Sequence, residues 1–218
     1  MKALVIFSGG QDSTTCLGYA MDTYDEVEAI NFNYGQKHAV EIEQARQICK
    51  HFNVKLTEID ISFLGSIVES ALTDHGDVTK THPKNSNLPA SFVPNRNALF
   101  ITLSHAFAQK IDAKVLIGGM CQTDYSGYPD CRREFIDLIE VALNNGSDAN
   151  VSIETPLMFL TKAQTFKLAN YHGVLEQVVE LSHTCYNGNR TLKHDWGYGC
   201  GTCPACELRA KGWSEYIK

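Results

Sequence analysis

The sequence is predicted to fold as an α/β protein built on a doubly wound parallel sheet, with a small metal-binding region at its C-terminal end. Three observations carry that expectation. Apolar runs of strand length alternate with segments of helical period. Glycine pairs follow two of those runs, at Gly9-Gly10 and Gly118-Gly119. Four cysteines crowd together beyond a change of character near Leu181.

The first run, Ala3 to Phe7, has the composition of a strand buried on both faces. It turns at Ser8-Gly9-Gly10-Gln11-Asp12-Ser13, and Thr14 to Met21 continues as a helix. Two glycines let an anion approach the backbone amides, while Ser13, Thr14 and Thr15 offer hydroxyls beside a helix N-terminus. Phosphate is the natural guest. The loop has neither the G-x-x-x-x-G-K-[ST] nor the G-x-G-x-x-G pattern.

Val27 to Asn33 reads as the second strand, between Asp22–Glu26 and Tyr34-Gly35. From Gln36 to Phe52, Ile42, Ala45, Cys49 and Phe52 recur at three- and four-residue steps, which marks one buried stripe on a helix. Val54 to Ile59 is the third strand. Parallel strands joined by helical crossovers place ligands beyond their carboxyl ends, where the Ser-Gly-Gly loop lies.

The rhythm breaks over Ser62 to Pro89, with a short apolar segment (Phe63 to Leu72) and then a polar stretch, residues 73–90, of the length that is usually functional or disordered. A helix from about Asn95 to Lys110 follows Pro94, with Asn95 as its expected cap, and precedes the strand Lys114 to Ile117. The loop from Gly118-Gly119 to Pro129 is expected to face the same crevice as the first. An amphipathic helix from about Cys131 to Leu143, a short strand Val151 to Glu154 and a helix from Thr161 to His172, ended by Gly173, complete the core.

At 218 residues and 44% hydrophobic composition, the chain suits one nucleotide-binding domain over residues 1–181 and a cysteine tail over 182–218 packed on it. A net charge of −6 argues against a phosphate-backbone interface and favours small molecules over nucleic acid. Ala3 to Phe7 is too short for a signal-peptide core, and no run approaches membrane-spanning length, so a cytoplasmic protein with reduced cysteines is expected.

Cys185, Cys200, Cys203 and Cys206 form C-x14-C-x2-C-x2-C. Four thiolates at this spacing can close a tetrahedron around zinc; an iron–sulfur cluster or a redox dithiol uses the same pattern. A zinc so held is redox-inert, has no open position, and serves to fold a short tail. His183 and His194 lie nearby and are read as surface or supporting groups; Cys16 and Cys49 are read as small core hydrophobes. Arg96, at a helix start, opposes the dipole unless an anion binds there, and Lys162 repeats that logic. Asp12 and Asp124 are the carboxylates available to a Mg2+ accompanying ATP. The loop through Cys121, Asp124, Tyr125, Ser126, Tyr128 and Asp130, dense in polar and aromatic side chains, suits a flat polar heterocycle.

The Ser8-Gly9-Gly10-Gln11-Asp12-Ser13 loop resembles that of the PP-loop ATP pyrophosphatases. With Pro94-Asn95-Arg96-Asn97, the segment Asp124-Tyr125-Ser126-Gly127-Tyr128-Pro129-Asp130-Cys131-Arg132 and the four-cysteine tail, nearly the whole chain resembles the 7-cyano-7-deazaguanine synthase (QueC) family. The resemblance implies a Rossmann-like sheet of the adenine nucleotide alpha hydrolase type. It implies Mg-ATP as cosubstrate, one structural zinc per chain and a homodimer. The implied reaction joins 7-carboxy-7-deazaguanine and ammonium to give the nitrile, through an adenylate and an amide, without nucleic acid or membrane partners.

On that resemblance the ATP site comprises Phe7, Ser8, Gly9, Gly10, Gln11, Asp12, Ser13, Thr14, Thr15, Cys16 and Leu17. The base contacts Phe92, Arg96, Asn97, Gly119, Asp124, Tyr125, Ser126, Tyr128 and Asp130, and Asp12, Arg96 and Lys162 act in catalysis. Other members of the PP-loop class, which thiolate or amidate tRNA, would need a basic surface and a catalytic cysteine such as Cys121. A nucleotide-sensing zinc module without turnover is the non-enzymatic alternative.

Overall fold

A computed structural model of the chain describes residues 1–36, 40–68, 70–72, 77, 79–82, 85–123 and 127–218. In chain order its elements are β1 (Lys2–Ile6), α1 (Gln11–Thr23), β2 (Glu26–Asn33), α2 (Val40–His51), β3 (Lys55–Asp60), α3 (Leu64–Ile67), β4 (Thr81–His82), β5 (Asn85–Pro89), α4 (Arg96–Lys110), β6 (Val115–Ile117), a 3-10 turn (Pro129–Cys131), α5 (Arg133–Ser147), β7 (Ser152–Glu154), α6 (Lys162–Tyr171), α7 (Leu175–Glu180), β8 (Lys193–His194), β9 (Gly197–Tyr198) and α8 (Pro204–Tyr216).

Five strands form one sheet in the order β3-β2-β1-β6-β7, and every neighbouring pair is parallel. The period-two alternation of a strand sends successive residues to opposite faces. Leu4, Ile30 and Leu116 accordingly pack with Ile101 and Ala108 of α4 and Ile136 of α5 on one face. Ala3, Val5, Ala29 and Ile117 pack with Cys16, Leu17 and Ala20 of α1 and Ala45, Ile48 and Cys49 of α2 on the other. Both faces are covered, which is why β1 reads as a continuous apolar run rather than an alternating one.

The chain moves outward from β1 to β3 and then resumes on the other side of β1 with β6 and β7. That reversal sets the carboxyl ends of β1 and β6 side by side, the place where doubly wound sheets bind ligands. The two glycine-marked turns meet there: a Cβ placed on Gly119 would lie 3.3 Å from Asp12 Cβ.

Three local expectations are corrected. Asn95 does not cap α4 with its side chain; it is left-handed, at φ 58°, and the amide of Asn97 is instead satisfied by Asp130 Oδ2 at 3.0 Å. The stretch after Ser62 contains the hairpin β4–β5, whose two short strands pair with each other and not with the main sheet. Residues 204–216, read only as the end of the cysteine tail, form the helix α8. It packs on α6, where Phe166 meets Trp213 and Tyr216 at 5.1 and 5.9 Å between ring centroids.

Candidate active site

The loop after β1 is held from several sides before any ligand is considered. Asn31 on β2 donates to Phe7 O at 2.6 Å, and the Ser8 and Ser13 hydroxyls meet at 3.1 Å across the turn. Gly9 has φ +83°, and a Cβ there would stand 2.5 Å from Glu41 O and 2.6 Å from Ala45 N on α2, so only glycine fits. Gly10 occupies the cap position of α1 and supplies no side-chain acceptor; its own amide donates to Ser8 Oγ at 3.2 Å and that of Gln11 to Thr184 Oγ1 at 3.4 Å, which leaves the amides of Asp12 and Ser13 without a side-chain cap.

These amides face a cavity of about 280 Å³. Ser8, Gly10, Gln11, Asp12 and Ser13 line it from the loop, and Gly119, Met120 and Cys121 from the end of β6. Arg96, Asn97, Tyr128 and Cys131 line it from the start of α4 and the 3-10 turn, and Tyr34, Gln36 and Glu41 from the end of β2 and the start of α2. His183, Thr184, Cys185 and Tyr186 close it from the tail.

The expected site residues separate by what their side chains already do. Phe7, Cys16 and Leu17 are buried in the core. The hydroxyls of Thr14 and Thr15 turn back onto Gly10 O and Gln11 O, at 2.8 and 3.0 Å. Phe92 meets Tyr128 in a tilted pair at 5.6 Å between ring centroids and is not among the residues lining the cavity, and Asp130 is occupied by the α4 terminus. Tyr128 is fixed by a 2.7 Å contact with Ser91 Oγ. Asp124, Tyr125 and Ser126 lie outside the described residues.

Lys162 is no solvated lysine: it is buried, and Nζ donates to Asp12 Oδ2 at 2.6 Å. Thr161 and Gln164 form a reciprocal capping box that starts α6, a Thr-x-x-Gln signal present in the sequence and not read from it. The second oxygen of Asp12, Oδ1, is buried without a partner among the described residues. Arg96 lies over the rings of Tyr34 and Tyr128, at 5.6 and 5.9 Å. Burial alone would lower its pKa, but Tyr34, Tyr128, Asp130 and Cys131 outweigh that and raise it, so the guanidinium is a permanent cation. Glu41 shows the opposite balance: burial pushes it up to about 7, against the pull of Arg96 and with a smaller push from Cys185.

His183 was set aside from sequence as a surface or supporting group. It is fully buried, its two ring nitrogens have no partner among the described residues, and burial lowers it to about 4, so it is a neutral imidazole in the cavity wall. No local signal marks it, because its position follows from the way the tail folds back. His183 N donates to Gly9 O at 2.9 Å, and Thr184 Oγ1 accepts from Gln11 N at 3.4 Å. Arg209, only 1% exposed, holds that strap by donating to Thr184 Oγ1, Trp196 O and Val178 O at 3.0, 2.9 and 2.7 Å.

The four tail cysteines form a cluster that can hold a metal ion, their sulfurs all lying within 4.8 Å of one another. Backbone amides of Thr202 and Cys203 point at Cys200 Sγ, at 3.5 and 3.3 Å. His194 is not among these ligands; it stacks on Trp196 at 4.4 Å, and its Nε2 lies 3.1 Å from Gly199 O.

A parallel sheet in the order β3-β2-β1-β6-β7 with this glycine-turned loop at its switch point defines a doubly wound α/β protein with its candidate site at the carboxyl ends of the strands. The chain belongs to the QueC family, whose sequence model, described as queuosine biosynthesis protein QueC, matches residues 2–217. A 7-cyano-7-deazaguanine synthase of Wolinella succinogenes is 53% identical over 216 residues, covering 98% of this chain and 93% of its own. One from Helicobacter pylori (strain Shi470) is 49% identical over 214 residues, covering 97% and 95%. Among solved structures, a 4-thiouridine synthetase in complex with RNA and bound ATP superposes with a TM-score of 0.53 at 15% identity, over 100% of this chain and 53% of its own. That similarity is one of fold.

Proposed function

We propose that the chain converts 7-carboxy-7-deazaguanine and ammonia to 7-cyano-7-deazaguanine at the expense of ATP. The observation that carries this reading is the single cavity in which an open helix N-terminus, a permanent cation and aromatic side chains meet, in a chain about half identical to synthases of that name.

A carboxylate resists ammonia because its leaving group would be oxide. Transfer of AMP from ATP to a carboxylate oxygen, with release of pyrophosphate, makes the acyl carbon electrophilic and gives it a stable leaving group. Ammonia then displaces AMP, losing a proton, and leaves the amide. A second adenylation, now on the amide oxygen, allows AMP to depart with that oxygen as the nitrogen loses its last proton and the nitrile forms.

In this scheme the amides of Asp12 and Ser13 at the start of α1, with the Ser8 and Ser13 hydroxyls, hold the phosphates. Lys162, fixed by Asp12, faces the charge that develops on the departing pyrophosphate, and Arg96 holds the anionic carboxylate of the base. Asp12 Oδ1 is the protein oxygen available to a Mg2+ carried by the nucleotide, which would neutralise its phosphates. Removing the charge with Lys162→Met is expected to lower kcat about 100-fold with little change in the unfolding midpoint, as read by steady-state rates beside a thermal melt.

The tail cysteines fit zinc. Zn–S bonds of about 2.3 Å in a tetrahedron require sulfurs about 3.8 Å apart, and Cys200 Sγ and Cys206 Sγ stand 3.9 Å apart. Hydrogen bonds from Cys203 and Cys206 hold the Cys185 thiol far down, while donation to Cys185 pushes Cys206 far up, so the four sulfurs ionise together only around a cation. Held by all four thiolates, zinc fixes the tail over residues 182–218 and takes no part in the chemistry. A reducing cytoplasmic setting and a homodimer complete the reading; no helix among the described residues is long and apolar enough to cross a membrane.

The test is mass spectrometry of the carboxylated base incubated with zinc-loaded protein, Mg-ATP and ammonium. Nitrile formation with matching AMP release is expected. An unchanged base in the presence of ATP-binding protein would overturn this reading in favour of the alternatives, a tRNA-thiolating or amidating enzyme or a nucleotide-sensing module.

A further inference from the structure

Glu41 lines the cavity and has no task in the steps above. It stands in the first turn of α2, beside the loop it helps to pin, since its carbonyl is what excludes any side chain at Gly9. Its neighbour Glu43 is occupied at the surface by Gln47 and Arg46, at 3.2 and 3.4 Å. Glu41 accepts no hydrogen bond and forms no ion pair among the described residues. Glu41 is half-buried in the cavity wall, and a carboxylate partly withdrawn from water without donors is destabilised, in keeping with the upward direction of its pKa. That destabilisation is offset when a ligand brings the donors.

The chemistry of those donors follows from what surrounds the group. Tyr34, Phe100 and Tyr128 line the same cavity, and Arg96, held over the Tyr34 and Tyr128 rings, supplies a cation for an anionic substituent. A carboxylate has two acceptor oxygens side by side, which match two adjacent N–H donors on one edge of a flat ring. The 2-amino-6-oxopyrimidine edge has such a pair, the ring N–H and the 2-amino group. Adenine presents an amino donor beside a ring acceptor, which a carboxylate repels. Glu41 and Arg96 therefore suit the base and not the nucleotide.

We propose that Glu41 reads the ring N–H and 2-amino edge of the base, with Arg96 on its 7-carboxylate, and so sets specificity for a guanine-like substrate. This rests on the function proposed above. Isothermal titration of zinc-loaded wild type, Glu41→Gln and Glu41→Ala would use two probes: 7-carboxy-7-deazaguanine and its analogue lacking only the 2-amino group.

Wild type is expected to bind the analogue about 100-fold more weakly than the amino base, because the analogue leaves a carboxylate oxygen unpaired. Glu41→Ala is expected to bind both bases equally weakly, and Glu41→Gln to fall between. ATP affinity should stay within about twofold in all three. Equal affinity of wild type for both bases overturns the proposal without any variant, as does loss of ATP affinity in Glu41→Gln, which would place adenine against this residue. Equal losses on both bases, with discrimination retained, would make Glu41 merely structural. Turnover separates the two readings: binding with discrimination but no nitrile sinks the proposed reaction alone, and nitrile formation without discrimination sinks the role of Glu41 alone.

Discussion

The sheet and the cysteine tail are stabilised by different physics, although both line one cavity. In β1, Ala3, Leu4 and Val5 are fully buried between two layers of helices, and area removed from water holds the region together. In the tail the largest buried side chain is charged: Arg209, whose pKa burial lowers to about 10 against the pull of Asp12 and Cys206, and which reaches two backbone carbonyls and Thr184. A region held by directional contacts tolerates little rearrangement, and this one places His183 and Thr184 against Gly9 and Gln11. The difference teaches that the loop after β1 is supported by apolar packing on one side and by a polar strap on the other. The cysteine centre is therefore placed to act on that loop by position.

The sharpest way to separate the regions is to empty the cysteine centre. Cys203→Ser, or chelation, is expected to abolish metal content and nucleotide binding while far-UV circular dichroism retains most of the sheet signal, since structural zinc contributes about 10–16 kcal/mol of apparent binding energy in small modules. Unchanged nucleotide affinity in metal-free protein would break the positional link.

Leu116→Ala makes the reverse test. It opens a cavity in the sheet and is expected to cost about 4 kcal/mol in denaturant unfolding, with metal content unchanged. Arg209→Met, which removes three hydrogen bonds and leaves two buried carbonyls without this donor, is expected to cost about 3 kcal/mol and to weaken ATP binding at full metal loading. An ATP affinity equal to wild type would show that Thr184 needs no support.

The smallest effect is expected at Cys121, whose sulfur contacts Thr123 Oγ1 and Leu160 O at 3.1 and 3.3 Å. Cys121→Ala should change the rate less than about threefold, given the small weight of a single thiol contact. A loss of several hundredfold would revive the thiolating alternative and its catalytic cysteine.

What could be read from sequence is what local pattern encodes. The run Ala3 to Phe7, the loop after it and the cysteine spacing each carry their meaning within a few residues, and the structure brings the two glycine turns together as the strand order requires. The two-residue strands β4, β8 and β9 carry no local pattern because they exist only through their partners, and β5, though five residues long, is polar and pairs only with β4. Helix α8 had a usable signal in Pro204 at its first turn, overlooked beside the cysteines. Glu41 looks no different in sequence from the solvated Glu43. His183 owes its place in the cavity to a chain reversal that no local spacing reports.

The most direct measurement follows the oxygens. The 7-carboxy base labelled with oxygen-18 in both carboxylate positions would be converted with unlabelled ATP and ammonium, and the nucleotide products analysed by mass spectrometry. Adenylation at each stage requires both labelled oxygens to leave in AMP, one per molecule, with none in pyrophosphate. Label in inorganic phosphate with ADP, or unlabelled AMP beside a fully formed nitrile, would contradict activation by adenylation in this cavity.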